Sequence, residues 1–220
     1  MVEIKKIEPT KSNLKKFTQF QIDLYDGNPY YVPPLVSDDV ATLSPQVNPA
    51  FDFCESVYFM AYRDGKPVGR IAGILNNQVN ERHHLRTARF GFIDFIDDEE
   101  VSAALMSAVE KWARDKGMKK LIGPLGFTDL DHEGMLVEGF QELSTMATIY
   151  NYAYYPRHME KLGYKKESDW VEFLMDVPDE IPEKYNRIAD IVKKKFGLKV
   201  LKYKSRKRIK DEYGRASVSY

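Results

Sequence analysis

Residues 57–75, VYFMAYRDGKPVGRIAGIL, decide the fold. Val57 to Arg63 is an aromatic-rich apolar run of strand length, and Pro67 to Leu75 is a second. Between them Asp64-Gly65 is the strongest short signal for a tight β-hairpin. Gly69 and Gly73 lie inside the return strand. Glycine weakens a strand unless a bulge or a close backbone approach requires it.

Working outward, residues 76–86 read as a polar loop, followed by a third strand from Arg89 to Phe95. A helix is expected from about Glu99 to Lys116, with Val101, Leu105, Ala108, Val109 and Trp112 on one stripe. Asp97 and Glu100 have the spacing of a capping box, and Gly117 ends the helix. Lys119 to Pro124 is a fourth strand of this region, and its arrival after a helix makes it parallel to the third. Residues 125–148 form a connection too long to be a simple link, so it is functional or carries an element of its own. A short helix spans 151–162, and a strand follows at 169–176. Upstream lie a strand at 2–7, a helix from about Ser12 to Tyr25, and an extended Tyr30-Tyr31-Val32-Pro33-Pro34 segment. Domain limits are read at 1–177, with 178–220 a tail of a helix near Pro182 to Lys195, a strand from Leu198 to Tyr203 and a basic end, expected to be the start of a second domain in a shortened chain.

The chain has 220 residues, 43% apolar and 30% charged, the balance of a globular protein with a real core. Lys+Arg and Asp+Glu are both 33. No net field would hold it on nucleic acid or an anionic membrane. One cysteine, Cys54, cannot form an internal disulfide, and residues 1–9 contain no apolar signal core. Cytoplasmic residence is expected. P-loop, Rossmann and nucleophile-elbow patterns are missing, as are metal-ligand spacings.

The order strand, Asp-Gly turn, strand, strand, helix, strand, helix, strand over residues 1–177 resembles the GNAT (GCN5-related) N-acyltransferase superfamily. The segments that carry the resemblance are VYFMAYRDGKPVGRIAGILN, RFGFIDFIDDEEVSAALMSAVEKWARDKGMKKLIGP and NYAYYPRHMEKLGY. NPYYVPPL, DGKPVGRIAG and GPLGFTDLDHEGMLVEGF resemble an uncharacterised bacterial subgroup of GNAT-like proteins. The resemblance implies an α/β (α+β) fold: a mixed twisted sheet with antiparallel N-terminal strands, splayed central parallel strands and flanking helices. It also implies acetyl-CoA or another acyl-CoA in the gap between the splayed strands. The pantetheine arm would add to the sheet like a strand, and the pyrophosphate would sit at the start of the following helix.

On that reading Gly69, Phe92, Ile93, Asp98 and Asn151 lie on the cofactor's path. Tyr31, Phe127 and Asp129 face the substrate, a small-molecule or peptide amine. Glu133 or His132 is the base and Tyr155 the acid. The sequence departs from the family in two places. Ile96-Asp97-Asp98-Glu99-Glu100 puts four carboxylates where the family binds a diphosphate. Met159 stands where the family often has its proton-donating tyrosine, and a thioether has no proton to donate. The reading therefore divides between an N-acyltransferase and a GNAT-fold binding module that has lost CoA. A third reading is an interaction domain acting through oligomers, a homodimer among them. The tyrosines can equally pack their loops, the acids can cap a helix and turn a loop, and the basic stretch 193–210 can be a solvated end.

Overall fold

The protein is described by a computed structural model covering residues 1–145 and 148–205. It divides into two compact units, Met1–Trp170 and a second from Val171 onward.

The first unit is built on one five-stranded sheet in the order β1-β2-β3-β4-β5. β1 (Glu3–Ile7), β2 (Cys54–Arg63), β3 (Lys66–Asn76) and β4 (Thr87–Phe95) pair antiparallel in sequence, and β5 (Lys120–Ile122) pairs parallel with β4. The hairpin at its centre turns at Asp64 and Gly65, both with positive φ (51° and 76°), the backbone a type I′ turn needs. β3 is buried almost from end to end, as a strand covered on both faces must be.

α4 (Glu99–Asp115) covers one face. Val101, Leu105, Met106 and Val109 are buried there against Ile71, Phe90 and Phe95. Gly69 and Gly73 explain how closely this helix lies. A Cβ on Gly69 would stand 2.7 Å from Leu105, and one on Gly73 2.8 Å from Trp112. α1 (Lys11–Leu24) and α2 (Val36–Leu43) cover the other face, where Leu14, Phe17 and Leu43 meet Tyr58, Met60 and Ile74. This is the GNAT-like mixed sheet that the sequence implies. Among the described residues no helix is long and apolar enough to cross a membrane.

Several expectations are corrected. Residues 77–83 are not a polar loop but α3 (Asn77–His83): the Asn76 side chain caps it, accepting from Val79 N at 2.9 Å. α2 went unread because its signal is short and its anchoring is nonlocal, through buried Leu43, whose carbonyl accepts from the Tyr58 hydroxyl at 2.7 Å. The cap of α4 is Asp98, one residue later than the spacing of Asp97 and Glu100 suggests. The final helix of the first unit, α5 (Tyr154–Lys161), starts three residues late. Residues 169–176 and 198–203 carry no strand. Alternation nominates a strand, but only a neighbouring edge makes one.

In the second unit α6 (Glu183–Phe196) is ended by Gly197 at φ 61°, with Lys193, Lys194 and Lys195 in its last turn, where they complement the helix dipole. The basic stretch continues past residue 205, outside the described residues.

Candidate functional site

The site begins where β4 loses its partner. β4 and β5 pair over three positions only, Thr87–Arg89 with Lys120–Ile122. The following segment stays close for two residues more, with Leu125 N donating to Phe90 O at 2.8 Å. Gly91 permits that approach, since a Cβ there would lie 2.3 Å from Leu125 O. Beyond this point β4 runs on to Phe95 without β5.

At the parting β4 is also irregular. Ala72 pairs with Gly91 and Arg70 with Asp94, so Phe92 and Ile93 together stand opposite Ile71. This is a β-bulge, and Phe92 sits in it at φ 48°. A left-handed bulky residue is strained, and such strain collects at functional positions. Bulges re-aim side chains next to active sites. Here the bulge turns Asp94 toward Arg70 and α1.

Arg70 and Asp94 are both buried, with side chains 2% and 3% exposed. Arg70 Nε donates to Asp94 Oδ2 at 2.7 Å, and its Nη1 donates to Phe17 O at 3.0 Å. The Tyr25 hydroxyl, from the end of α1, lies 3.1 Å from Asp94 Oδ1 and 2.8 Å from the Tyr155 hydroxyl. The Tyr155 hydroxyl accepts from Phe95 N at 3.1 Å, and Tyr154 donates to Phe95 O at 2.5 Å. Tyr155 packs in the core on the α4 side, stacked on Phe95 at 4.3 Å. Its hydroxyl thus meets a helix of the opposite face through the gap left by β5. Burial holds Tyr25 and Tyr155 protonated well above the ordinary phenol range, with the Asp94 charge adding to it. Burial also pushes the Asp94 carboxyl up, against the pull of Arg70.

Around this network stand more tyrosines. Tyr31 packs tilted against Tyr25 with ring centroids 4.6 Å apart, and Tyr152 lies 4.9 Å from it. The Tyr31 hydroxyl is buried with no hydrogen-bond partner among the described residues. It feels the charges of Asp94, Arg70 and Asp39. Asp39, on α2, is half-buried, and desolvation raises its carboxyl while the charges of Arg70 and His132 pull it back. An open groove of about 450 Å³ lies alongside, lined by Asp26, Asn28, Tyr30, Phe140, Tyr150 and Tyr152 among others.

The start of α4 is already filled. Asp98 accepts from Glu100 N at 2.9 Å and Val101 N at 3.3 Å. Arg63 pairs with Asp98 at 2.5 Å and Glu100 at 2.8 Å, and Lys161 pairs with Glu99. His158 Nε2 lies 2.9 Å from Asp97, and its Nδ1 lies 2.8 Å from Ser102 Oγ. These carboxylates use the N–H donors and the cations that a diphosphate would need, and they would repel it. The residues here do not fit the diphosphate of an acyl-CoA. At the far end of the gap, Tyr154 and Tyr155 hold both strand-pairing groups of Phe95, the place for an added extended arm.

Of the residues expected from sequence, Tyr155 and Tyr31 meet at this network, and His132 is exposed in the segment after β5. Phe92 forms the bulge; Ile93 is 2% exposed in the core. Phe127 is fully buried, 5.0 Å from Phe51. Asn151 is occupied in holding the loop, binding Leu136 N at 2.6 Å and Leu136 O at 3.1 Å. Glu133 is half-buried and Asp129 exposed, and none of the network's hydrogen bonds reaches either. Four residues escaped sequence reading: Tyr25, Asp39, Arg70 and Asp94. Arg70 and Asp94 carried a signal, charges inside otherwise apolar strands, which in a doubly covered sheet must pair.

No family model matches the chain. Protein YghO of Escherichia coli (strain K12) is 32% identical over 192 residues, 87% of this chain and 49% of that one. Bacterial ceramide synthase of Caulobacter vibrioides is 30% identical over 175 residues, 79% of this chain and 46% of that one. Among solved structures, a predicted acetyltransferase with acetyl-CoA from Clostridium acetobutylicum is 10% identical, with a TM-score of 0.46 over 79% of this chain and 96% of that one. The chain spans about half the length of the two curated relatives. In element order and strand pairing, its fold is of the GNAT type.

Proposed function

We propose that the chain is the acceptor-side unit of an N-acyltransferase, the part that holds the amine to be made into an amide. The observation that carries this is the open groove lined by Asp26, Tyr30, Tyr150 and Tyr152, whose Tyr150 and Tyr152 rings pack on Tyr25 of the buried Arg70–Asp94 network. Ammonium groups are recognised by carboxylates and by tyrosine faces. The likeness to a ceramide synthase supports amide formation, because a ceramide is a long-chain amino alcohol acylated on nitrogen. An acyl-CoA would supply the activated acyl group in such a reaction. Because the start of α4 does not suit its diphosphate, this chain's residues are assigned to the amine alone. Tyr155, kept protonated, holds Tyr25 behind the groove through their 2.8 Å contact.

A second reading has the chain itself bind acyl-CoA with the thioester against the bulge; the left-handed Phe92 favours it. Calorimetric titrations with hexylamine and with acetyl-CoA separate the two. The first reading expects amine binding and no heat from acetyl-CoA up to millimolar concentration. Sub-millimolar acetyl-CoA binding puts the second reading in its place, and no amine binding removes the first.

A further inference from the structure

We infer that Asp26 is the charge anchor of the acceptor site, and that the groove beside it takes an organic ammonium ion in preference to a neutral polyol. The inference rests on the acceptor-side role proposed above and deepens it by naming the residue that selects the substrate's charge.

The groove, of about 450 Å³, is walled by two stretches of the first unit: residues 26–30, which follow α1, and residues 140, 141, 150, 152 and 153, which precede α5. Hydrogen bonds hold the walls in place. Asn28 Nδ2 donates to the Tyr150 hydroxyl at 3.0 Å, and that hydroxyl donates to Phe140 O at 3.2 Å. Asn28 Oδ1 accepts from Tyr30 N at 2.9 Å. Ser144 N donates to Tyr30 O at 3.1 Å and ties the two walls a second time. The Tyr150 ring meets Tyr25 edge-on at 5.6 Å, and the Tyr152 ring lies 4.9 Å from Tyr25 and 5.6 Å from Tyr154. The groove is thus shaped by its own packing, as small-molecule sites usually are.

The bonds that build the groove also use up its neutral hydrogen-bonding groups. Both ends of the Asn28 amide and the Tyr150 hydroxyl are committed, and the Tyr152 hydroxyl donates to Leu24 O at 3.4 Å. A polyol needs several free donors and acceptors in a fixed pattern, and few remain. What is left is one carboxylate and a set of aromatic surfaces. Asp26, exposed at the rim, makes no side-chain hydrogen bond or ion pair with any described residue. Among the described residues that line the groove there is no lysine, arginine or histidine to offset its charge. One uncompensated negative charge beside tyrosine and phenylalanine rings attracts a cation, whose apolar body lies on the rings while its charged end stays at the wet rim. A primary ammonium also has N–H bonds to give to the carboxylate.

The test is calorimetry on the whole chain with hexylamine, hexanol and glucose. Wild type is compared with Asp26→Asn, Asp26→Glu and Asp23→Asn. Asp26→Asn should weaken hexylamine about fivefold and leave hexanol unchanged, the size expected of a charge pair that water screens. Asp26→Glu keeps the charge and should lose less than about twofold. Asp23, one turn earlier on α1 and outside the groove lining, bonds only to Gln19, so Asp23→Asn should leave hexylamine affinity unchanged. Raising NaCl from about 0.05 M to about 0.5 M should bring wild type toward the Asp26→Asn value. Asp26→Asn removes no contact of the fold, so its melting temperature should stay within about 2 °C of wild type. Equal hexylamine affinity in wild type and Asp26→Asn overturns the anchor and leaves the acceptor-side reading standing. An equal loss in Asp23→Asn, or a parallel loss of hexanol, overturns it too, because the effect would then not belong to a charge in the groove. Glucose binding tighter than hexylamine overturns the choice of a cation over a polyol. Amine binding that depends on Asp26, in a protein that also binds acetyl-CoA at sub-millimolar concentration, supports the anchor and removes the amine-only assignment. Absence of hexylamine binding in wild type removes both.

Discussion

Cutting the Arg70–Asp94 pair from one side should nearly unfold the protein, and cutting it from both sides should not. The pair is dry, with side chains 2% and 3% exposed and a 2.7 Å contact. Arg70→Met leaves a carboxylate in the core with only the Tyr25 and Tyr155 hydroxyls beside it. Asp94→Leu leaves a guanidinium with only Phe17 O and the Phe17 ring face, 4.9 Å away. Removing one partner of a buried ion pair costs about 3–5 kcal/mol, against a total stability of about 5–15 kcal/mol for a domain. With a urea m-value of about 2 kcal/mol/M, each single variant should lower the unfolding midpoint by about 1.5–2.5 M. The double variant should lie within about 2 kcal/mol of wild type, because no charge remains to be desolvated and Tyr25 keeps its 2.8 Å contact with Tyr155. The coupling energy should then be at least about 3 kcal/mol. Single-variant costs below about 1 kcal/mol, or costs that add within about 0.5 kcal/mol, would refute the claim that the two charges depend on each other.

Three further outcomes are expected. Asp98→Ala removes the cap of α4 and should cost about 1 kcal/mol at pH 7, about 2–4 °C in melting temperature. The Arg63 hydrogen bond holds the Asp98 carboxyl below its usual value, so its contribution is present above the unfolded value and lost as pH falls through the folded one; the wild-type and variant melting curves should converge in acid. Gly65→Ala should cost about 1 kcal/mol in urea unfolding although a Cβ there meets nothing within 4 Å, because φ is +76°. Burial pushes the Cys54 thiol up to about 11, so iodoacetamide labelling of the native protein should stay slow at pH 8–9 and accelerate only toward that value.

The hairpin, β4, α4 and the parallel return of β5 were legible because each rests on local chemistry: Asp64-Gly65 for the turn, an apolar stripe for the helix, a terminal glycine for its end. The strand expected at 169–176 failed for the opposite reason, since its alternation is local but its partner would have to come from elsewhere. The candidate site was half legible. Tyr31 and Tyr155 could be named from their neighbourhoods, but the buried acid between them is Asp94, which reads in sequence as one polar residue in the run FIDF. Asp39 was hidden in a helix that tertiary packing, not periodicity, creates. The acids at 97–100 were legible as a helix-start cluster, though which one caps the helix was not, because Asp97 and Asp98 have equal claims until the chain direction is known.

The bulge at Phe92–Ile93 also settles a question of alignment. β3 is buried on both faces, so hydrophobicity alone would accept it slid one residue along β4. Such a slide would carry Arg70 to the far side of the sheet, toward Val101 and Leu105, with its charge stranded in hydrocarbon. With two residues of β4 spent against Ile71, only one alignment brings Arg70 and Asp94 together. The same irregularity that strains Phe92 therefore acts as a key, admitting a single way for the two central strands to lock.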